Sequence, residues 1–185
     1  MSRSARVRVG EDRRPLGRDQ QLVSALAAYQ DAVMRSRHLD PVTTELVRLR
    51  CARQHDCRIC QSLRLSDAVL VGVDEDLTSQ IDHYEASSLD ERHKVALRLV
   101  DAFIWRPTDI SDQLAADAHR HFSDAEIAEL LVDITKWSTQ KIHVTLGTDG
   151  ADHLPKDDGG RTYLSFAEDG SVAAMSDERP VGDRP

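Results

Sequence analysis

Three cysteines, Cys51, Cys57 and Cys60, fall within ten positions of one another, and the rest of the chain has none. A secreted disulfide scaffold spreads an even number of cysteines along its length; an odd, clustered set points instead to redox chemistry or metal binding. Cys57 and Cys60 flank Arg58 and Ile59, so two thiols at the start of a helix could close a small disulfide ring with little rearrangement of the chain. Unpaired amides at a helix start also favour the thiolate, the reactive form of the thiol. Arg58 and Arg64 add positive charge nearby. Two other readings of the cluster stand beside the redox one. Cys51, His55, Cys57 and Cys60 are four ligands of the kind that zinc takes, although their spacing lacks the long loop that usually separates zinc-ligand pairs. Inert burial fits Cys51 best, since it falls well inside its helix and the dithiol needs no third thiol.

The elements that must position this cluster are helical. Leu22, Leu26, Tyr29 and Val33 recur at helical spacing between Asp19 and Arg37. Asp40 can cap a second helix with Pro41 in its first position, carrying Val42, Glu45, Leu46, Leu49 and Ala52 to about Gln54. After a break at His55-Asp56, a helix is expected from Cys57 to Val71, closed by Gly72. A short helix follows Asp74. Ser88 and Glu91 have capping-box spacing for a helix that must end before Pro107. Ser111 caps another helix, ending near His121. Ser123 and Glu126 repeat the capping box and open the longest helix, which runs through Ile134 and Trp137 towards Gly147. No segment alternates with period two between hairpin turns, so no core strand is assigned.

The expected fold class is all-α, a helical bundle with disordered or extended termini. Residues 1–18 read as a flexible arm, residues 19–147 as the helical domain and residues 148–185 as a tail with a short ordered piece at Tyr163-Leu164-Ser165-Phe166. Aromatic residues are 4% of the chain, so the core must rest on Leu, Val, Ile and Ala. The net charge of -8 argues against a nucleic-acid or anionic-membrane partner. No apolar run reaches membrane-spanning length, and the N-terminus lacks the apolar centre of a secretory signal, so the expected location is cytoplasmic.

Glu45, the helix stretch Leu46-Val47-Arg48-Leu49, Cys57 and Cys60, with the later segment His121-Phe122-Ser123-Asp124-Ala125-Glu126-Ile127 and Leu146-Gly147, together resemble the alkylhydroperoxidase D-like branch of the carboxymuconolactone decarboxylase family. The resemblance runs from about Leu22 to Gly147. It implies an all-helical homo-oligomer that acts as a thiol-dependent peroxidase or disulfide reductase, on a hydroperoxide or disulfide substrate, with a redox partner protein and without a cofactor or metal. By position, Cys60 would be peroxidatic, Cys57 resolving, and Glu45, twelve residues before Cys57, the base that begins a proton relay. Read without the resemblance, Glu45 is a solvated residue in the first turn of a helix.

The chain departs from the family pattern where a relay histidine usually stands. Arg64 occupies that position, four residues after Cys60, and Ile59 stands where a second histidine is common. An arginine cannot shuttle protons at neutral pH, but it could hold a thiolate or pair with Glu45. His55, two residues before Cys57, could supply the proton transfer instead, and His143 could do so if the last helix packs over the site. His119 and His121 suit the end of a helix. Trp105 and Trp137 are expected in the core or at a subunit interface. The alternatives to the dithiol enzyme are a decarboxylase-like enzyme on the same fold and a non-catalytic redox-sensing or zinc-binding protein.

Overall fold

The structure, a computed structural model, describes residues 4–10, 19–34, 36–166 and 172–177. Nine α-helices among these residues form a helical body with one small sheet. The helices are α1 (Gln20–Met34), α2 (Pro41–Gln54), α3 (Arg58–Ser62), α4 (Ser66–Leu70), α5 (Glu75–Ser79), α6 (Glu91–Trp105), α7 (Asp112–His121), α8 (Asp124–Ser138) and α9 (Lys141–Leu146). The strands are β1 (Leu63–Leu65), β2 (Thr162–Phe166) and β3 (Val172–Met175).

Several boundaries follow from the caps the sequence offers. The Asp40 carboxylate accepts the Thr43 amide at 2.8 Å, and Pro41 takes the first turn of α2. Ser111 caps α7, and Ser123 with Glu126 forms a complete capping box on α8. Gly147 closes α9 in the left-handed region at φ 67°. The capping box expected at Ser88 does not form. Its amide and hydroxyl donate to Gln80, and Asp90 occupies the cap position of α6.

Helix α2 is the centre of the molecule. Leu39, Val47, Cys51, Val95, Val100, Leu130, Ile134 and Trp137 bring α2, α6 and α8 into one core. Leu46, Leu49, Ile81, Tyr84 and Leu97 form a second core on another side of α2. A helix covered on more than one side must bury whatever polar residues fall there, and α2 buries Glu45 and Arg48 along with its apolar residues.

The helix expected from Cys57 to Val71 is broken. It stops at Ser62, and Leu63–Leu65 runs extended as β1 before α4 begins. The helical hydrogen bonds given up there are replaced from elsewhere. Strand β1 pairs in parallel with β2, Leu63 opposite Thr162 and Leu65 opposite Leu164. The Leu63 carbonyl also accepts from Arg48 at 2.5 Å, and the Leu65 amide donates to Glu45 at 3.3 Å. Strand β3 adds antiparallel to β2, with Tyr163 opposite Met175. Local periodicity cannot reveal a strand whose partner lies so far along the chain.

Of residues 1–18, positions 4–10 are described, and there the Arg6 and Val7 amides donate to the Thr145 carbonyl of α9. The other arginines of the expected arm, Arg3, Arg13, Arg14 and Arg18, lie outside the described residues. Trp137 is buried in the core, but Trp105 is 64% exposed, its indole N–H donating to Gln54 at 2.9 Å. Of the two placements expected for Trp105, the core is therefore excluded, because its ring falls on the open side of the last turn of α6, and the subunit interface is left.

Candidate active site

Cys57 and Cys60 form a disulfide with an S–S distance of 2.09 Å and Cα atoms 5.3 Å apart. Cys57 is the N-cap of α3, and its sulfur accepts the Cys60 amide at 3.3 Å. Behind it, the Cys57 amide donates to the Ala52 carbonyl of α2 at 2.9 Å. Ala52, Ile59 and Val144 pack around the pair and make its surroundings apolar. Cys57 is fully buried, whereas Cys60 is 9% exposed. A reactant from solvent therefore meets the Cys60 side of the pair first.

Glu45 lies beneath the dithiol turn and is fully buried, so it is not a solvated first-turn residue. Arg48, one helical turn on, meets both carboxylate oxygens, at 2.6 Å and 2.7 Å. The same guanidinium donates to the Cys60 carbonyl at 2.7 Å. Arg48 thus ties the carboxylate to the backbone of the reactive turn. The arginine considered from the sequence as a partner of Glu45 is occupied elsewhere: Arg64 pairs with Glu75 at 2.8 Å and donates to the Gln61 and Leu63 carbonyls. Glu75, in return, is held below the ordinary carboxylate range, chiefly by its hydrogen bond from Arg64.

His55 sits at the C-cap of α2, half-buried, with Nε2 3.4 Å from the Ser138 hydroxyl. Its Nδ1 is enclosed with no hydrogen-bond partner among the described residues. Burial, followed by the charge of Lys141, pushes His55 down to about 4, so the ring is neutral at neutral pH. His143 faces outward, hydrogen-bonded to Thr148 at 3.1 Å. His119 pairs with Asp124 at 3.4 Å on the far helices α7 and α8.

Cys51 is excluded from solvent within the α2–α6–α8 core, and burial pushes its thiol up to about 12. It stays protonated and unreactive at ordinary pH. Among the described residues no group of three or more His, Cys, Asp or Glu side chains could hold a metal ion. The four ligands weighed for zinc therefore do not converge: two of their sulfurs are bonded to each other, and a third lies in the core.

Two residues at the site escaped the sequence reading. Arg48 had a signal, since its spacing from Glu45 is that of neighbours on one helix face. Asp149 had none, lying 91 residues from Arg58. Its carboxylate, fully buried, accepts from the Arg58 guanidinium at 2.8 Å and 3.2 Å and from the Arg58 amide at 3.1 Å. Its carbonyl accepts the Ile59 amide at 3.0 Å.

No protein-family profile matches the chain. Uncharacterised proteins from two strains of Mycobacterium tuberculosis are each 47% identical to it over 122 residues, which is 65% of this chain and 43% of theirs. The chain thus spans less than half the length of these curated relatives. No helix among the described residues is long and apolar enough to cross a membrane. A solved structure from Agrobacterium tumefaciens, a protein of unknown function for which a role in antioxidant defence as AhpD has been suggested, superposes with a TM-score of 0.60 at 21% identity, covering 72% of this chain and 91% of that one. The chain shares with that protein an AhpD-like helical fold.

Proposed function

We infer that the chain is a thiol oxidoreductase of the alkylhydroperoxidase D-like kind, cycling Cys57 and Cys60 between dithiol and disulfide to reduce a hydroperoxide or a disulfide. The observation that carries this reading is the closed Cys57–Cys60 bond across the first turn of α3, with Cys60 9% exposed and Cys57 fully buried. The suggestion made for the Agrobacterium protein of like fold supports it.

With a hydroperoxide, the Cys60 thiolate attacks the terminal peroxide oxygen. The O–O bond breaks, an alcohol leaves after taking up a proton, and Cys60 becomes a sulfenic acid. Cys57 then attacks the Cys60 sulfur, water leaves and the disulfide forms. Two electrons pass from the dithiol to the peroxide, and an external dithiol restores them by exchange. The Cys60 amide beside the Cys57 sulfur supports the resolving thiolate.

In this scheme Glu45, held on both oxygens by Arg48, anchors the turn instead of beginning a relay. His55, two residues before Cys57, is a neutral ring with an unpartnered nitrogen among the described residues; with its pKa pushed down to about 4 it can pass a thiol proton on to solvent but not hold it. Arg64 steadies the chain leaving the dithiol through the Gln61 and Leu63 carbonyls. Assembly as a homo-oligomer belongs to the same proposal.

The test uses reduced protein and one equivalent of tert-butyl hydroperoxide. Two titratable thiols should disappear and return with dithiothreitol, and a Cys57→Ser, Cys60→Ser variant should show no change. Persistence of both thiols against hydroperoxide and against a small-molecule disulfide alike would remove the proposal.

A further inference from the structure

The two residues enclosed by the cysteines are gripped by a single distant residue. Each amide at the start of α3 has a different acceptor: Arg58 gives its N–H to the Asp149 carboxylate, Ile59 to the Asp149 carbonyl, and Cys60 to the Cys57 sulfur. Asp149 also meets the Arg58 guanidinium with both oxygens. It reaches the turn from the segment after α9, directed there by the left-handed turn at Gly147. A buried carboxylate so placed takes up positive potential that would otherwise stabilise a sulfur anion. It also holds the link between the cysteines in the shape that ring closure needs.

We propose that Asp149 is a positioning residue for the dithiol, clamping the Arg58–Ile59 link in the ring-closing geometry while its fixed charge restrains ionisation of the thiols. The proposal rests on Cys57 and Cys60 being the working pair. Burial alone would raise the Asp149 carboxyl, but hydrogen bonds from the Arg58 guanidinium and amide, with the Arg58 charge, outweigh it and hold the group below the ordinary range. The carboxylate therefore stays charged wherever the thiols titrate.

Other charged groups among the described residues also bear on the turn. Glu45 and Arg48 of α2 face it as a closed pair. Asp56 and Asp152 act on Arg58 along with Asp149, while Lys141 of α9 acts on the neutral His55. Lys136 of α8 lies within the influence of Arg48. Asp149 both bonds to the link between the cysteines and carries charge.

The test compares the full-length chain with Asp149→Asn, Asp149→Ala and Arg58→Gln variants, each reduced and followed by thiolate absorbance against pH, with circular dichroism reporting the fold. Asp149→Asn keeps an acceptor and loses the charge, so the first thiol should ionise at a pH lower by about half a unit to one unit. Arg58→Gln leaves the carboxylate unbalanced and should move that midpoint upward by a similar amount. In glutathione buffers, the reaction of the dithiol with oxidised glutathione, giving the ring disulfide and two glutathione thiols, should be about tenfold less favourable in Asp149→Ala and change by less than about threefold in Asp149→Asn. A residue that only held the fold together would not move the two midpoints in opposite directions.

A folded Asp149→Asn whose midpoint stays or rises overturns the proposal. If that variant fails to fold, Arg58→Gln decides: an upward shift supports the proposal and any other result overturns it. These titrations use no peroxide. Failure of the oxidoreductase reading would appear instead in the wild-type chain, as a dithiol that no oxidant closes.

Discussion

Replacing Arg48 by Met retains most of the side chain's length and removes its charge. Arg48 is 1% exposed and Glu45 is not exposed at all, so the carboxylate left behind would have neither water nor a cation to stabilise it. Breaking a buried pair by removing one partner costs about 3–5 kcal/mol, because the other charge remains buried. That is a large fraction of the roughly 5–15 kcal/mol that holds a domain folded. For a chain of this size it corresponds to a fall in Tm of about 6–20 °C. The cost should be mostly the stranded charge. A Glu45→Leu, Arg48→Met double variant should therefore recover part of it and remain below wild type by about 1–3 kcal/mol, the cost of the Cys60 carbonyl losing its Arg48 donor and the Leu65 amide its Glu45 acceptor. The Leu63 carbonyl is spared, since Arg64 also donates to it at 2.7 Å. Urea unfolding followed by circular dichroism, with the disulfide intact in all samples, measures both differences. A loss below about 1 kcal/mol in Arg48→Met, or a double variant no more stable than the single, would refute the claim that this pair is an interdependent buried unit.

Two further expectations follow from the buried groups. Brief iodoacetamide treatment of the reduced, folded chain at pH 8 should label Cys60, the 9% exposed member of the pair, and leave Cys51 unmodified, because Cys51 is fully buried and burial pushes its thiol up to about 12; an adduct on the Cys51 peptide would contradict this. Asp133 is 3% exposed with one oxygen unpartnered, and burial, with the charge of Glu129, raises it to about 7. Its unfolded value is about 3.9, so the native state binds the extra proton and stability falls as pH rises between those two values. Asp133→Asn should accordingly melt higher than wild type at pH 8, with the gain shrinking towards pH 5; a gain that does not depend on pH would show that the carboxylate's charge is not the cause.

The helical architecture was legible wherever a local signal sufficed. Asp40-Pro41, Ser111, Ser123 with Glu126, and Gly147 each mark a helix end by chemistry confined to a few neighbouring residues. The disulfide pair was legible for the same reason. Interactions that depend on distant chain were not. Leu63–Leu65 looks like a continuing helix until β2 is placed beside it, and Asp149 looks like one acid of a polar tail until Arg58 is beside it. Glu45 misled differently: a charged residue in a first turn ordinarily faces water, and only the burial of α2 between two cores turns it inward. Glu45 pairs with Arg48 and not with Arg64 at the family position, because Arg48 shares its helix face one turn on while Arg64 is taken by Glu75.

The parallel pairing of β1 with β2 also affects how the protein is made. The ribosome releases Cys57 and Cys60 well before it reaches Thr162, and the 91 residues separating Arg58 from Asp149 take roughly 5–20 s to synthesise at the usual rate. For that interval the nascent turn carries both thiols without the strand or the carboxylate that later surround them. Contacts this distant in sequence also form late when the finished chain refolds, since the intervening loop must first be closed. The helices can assemble early, and the surroundings of the sulfurs are completed last.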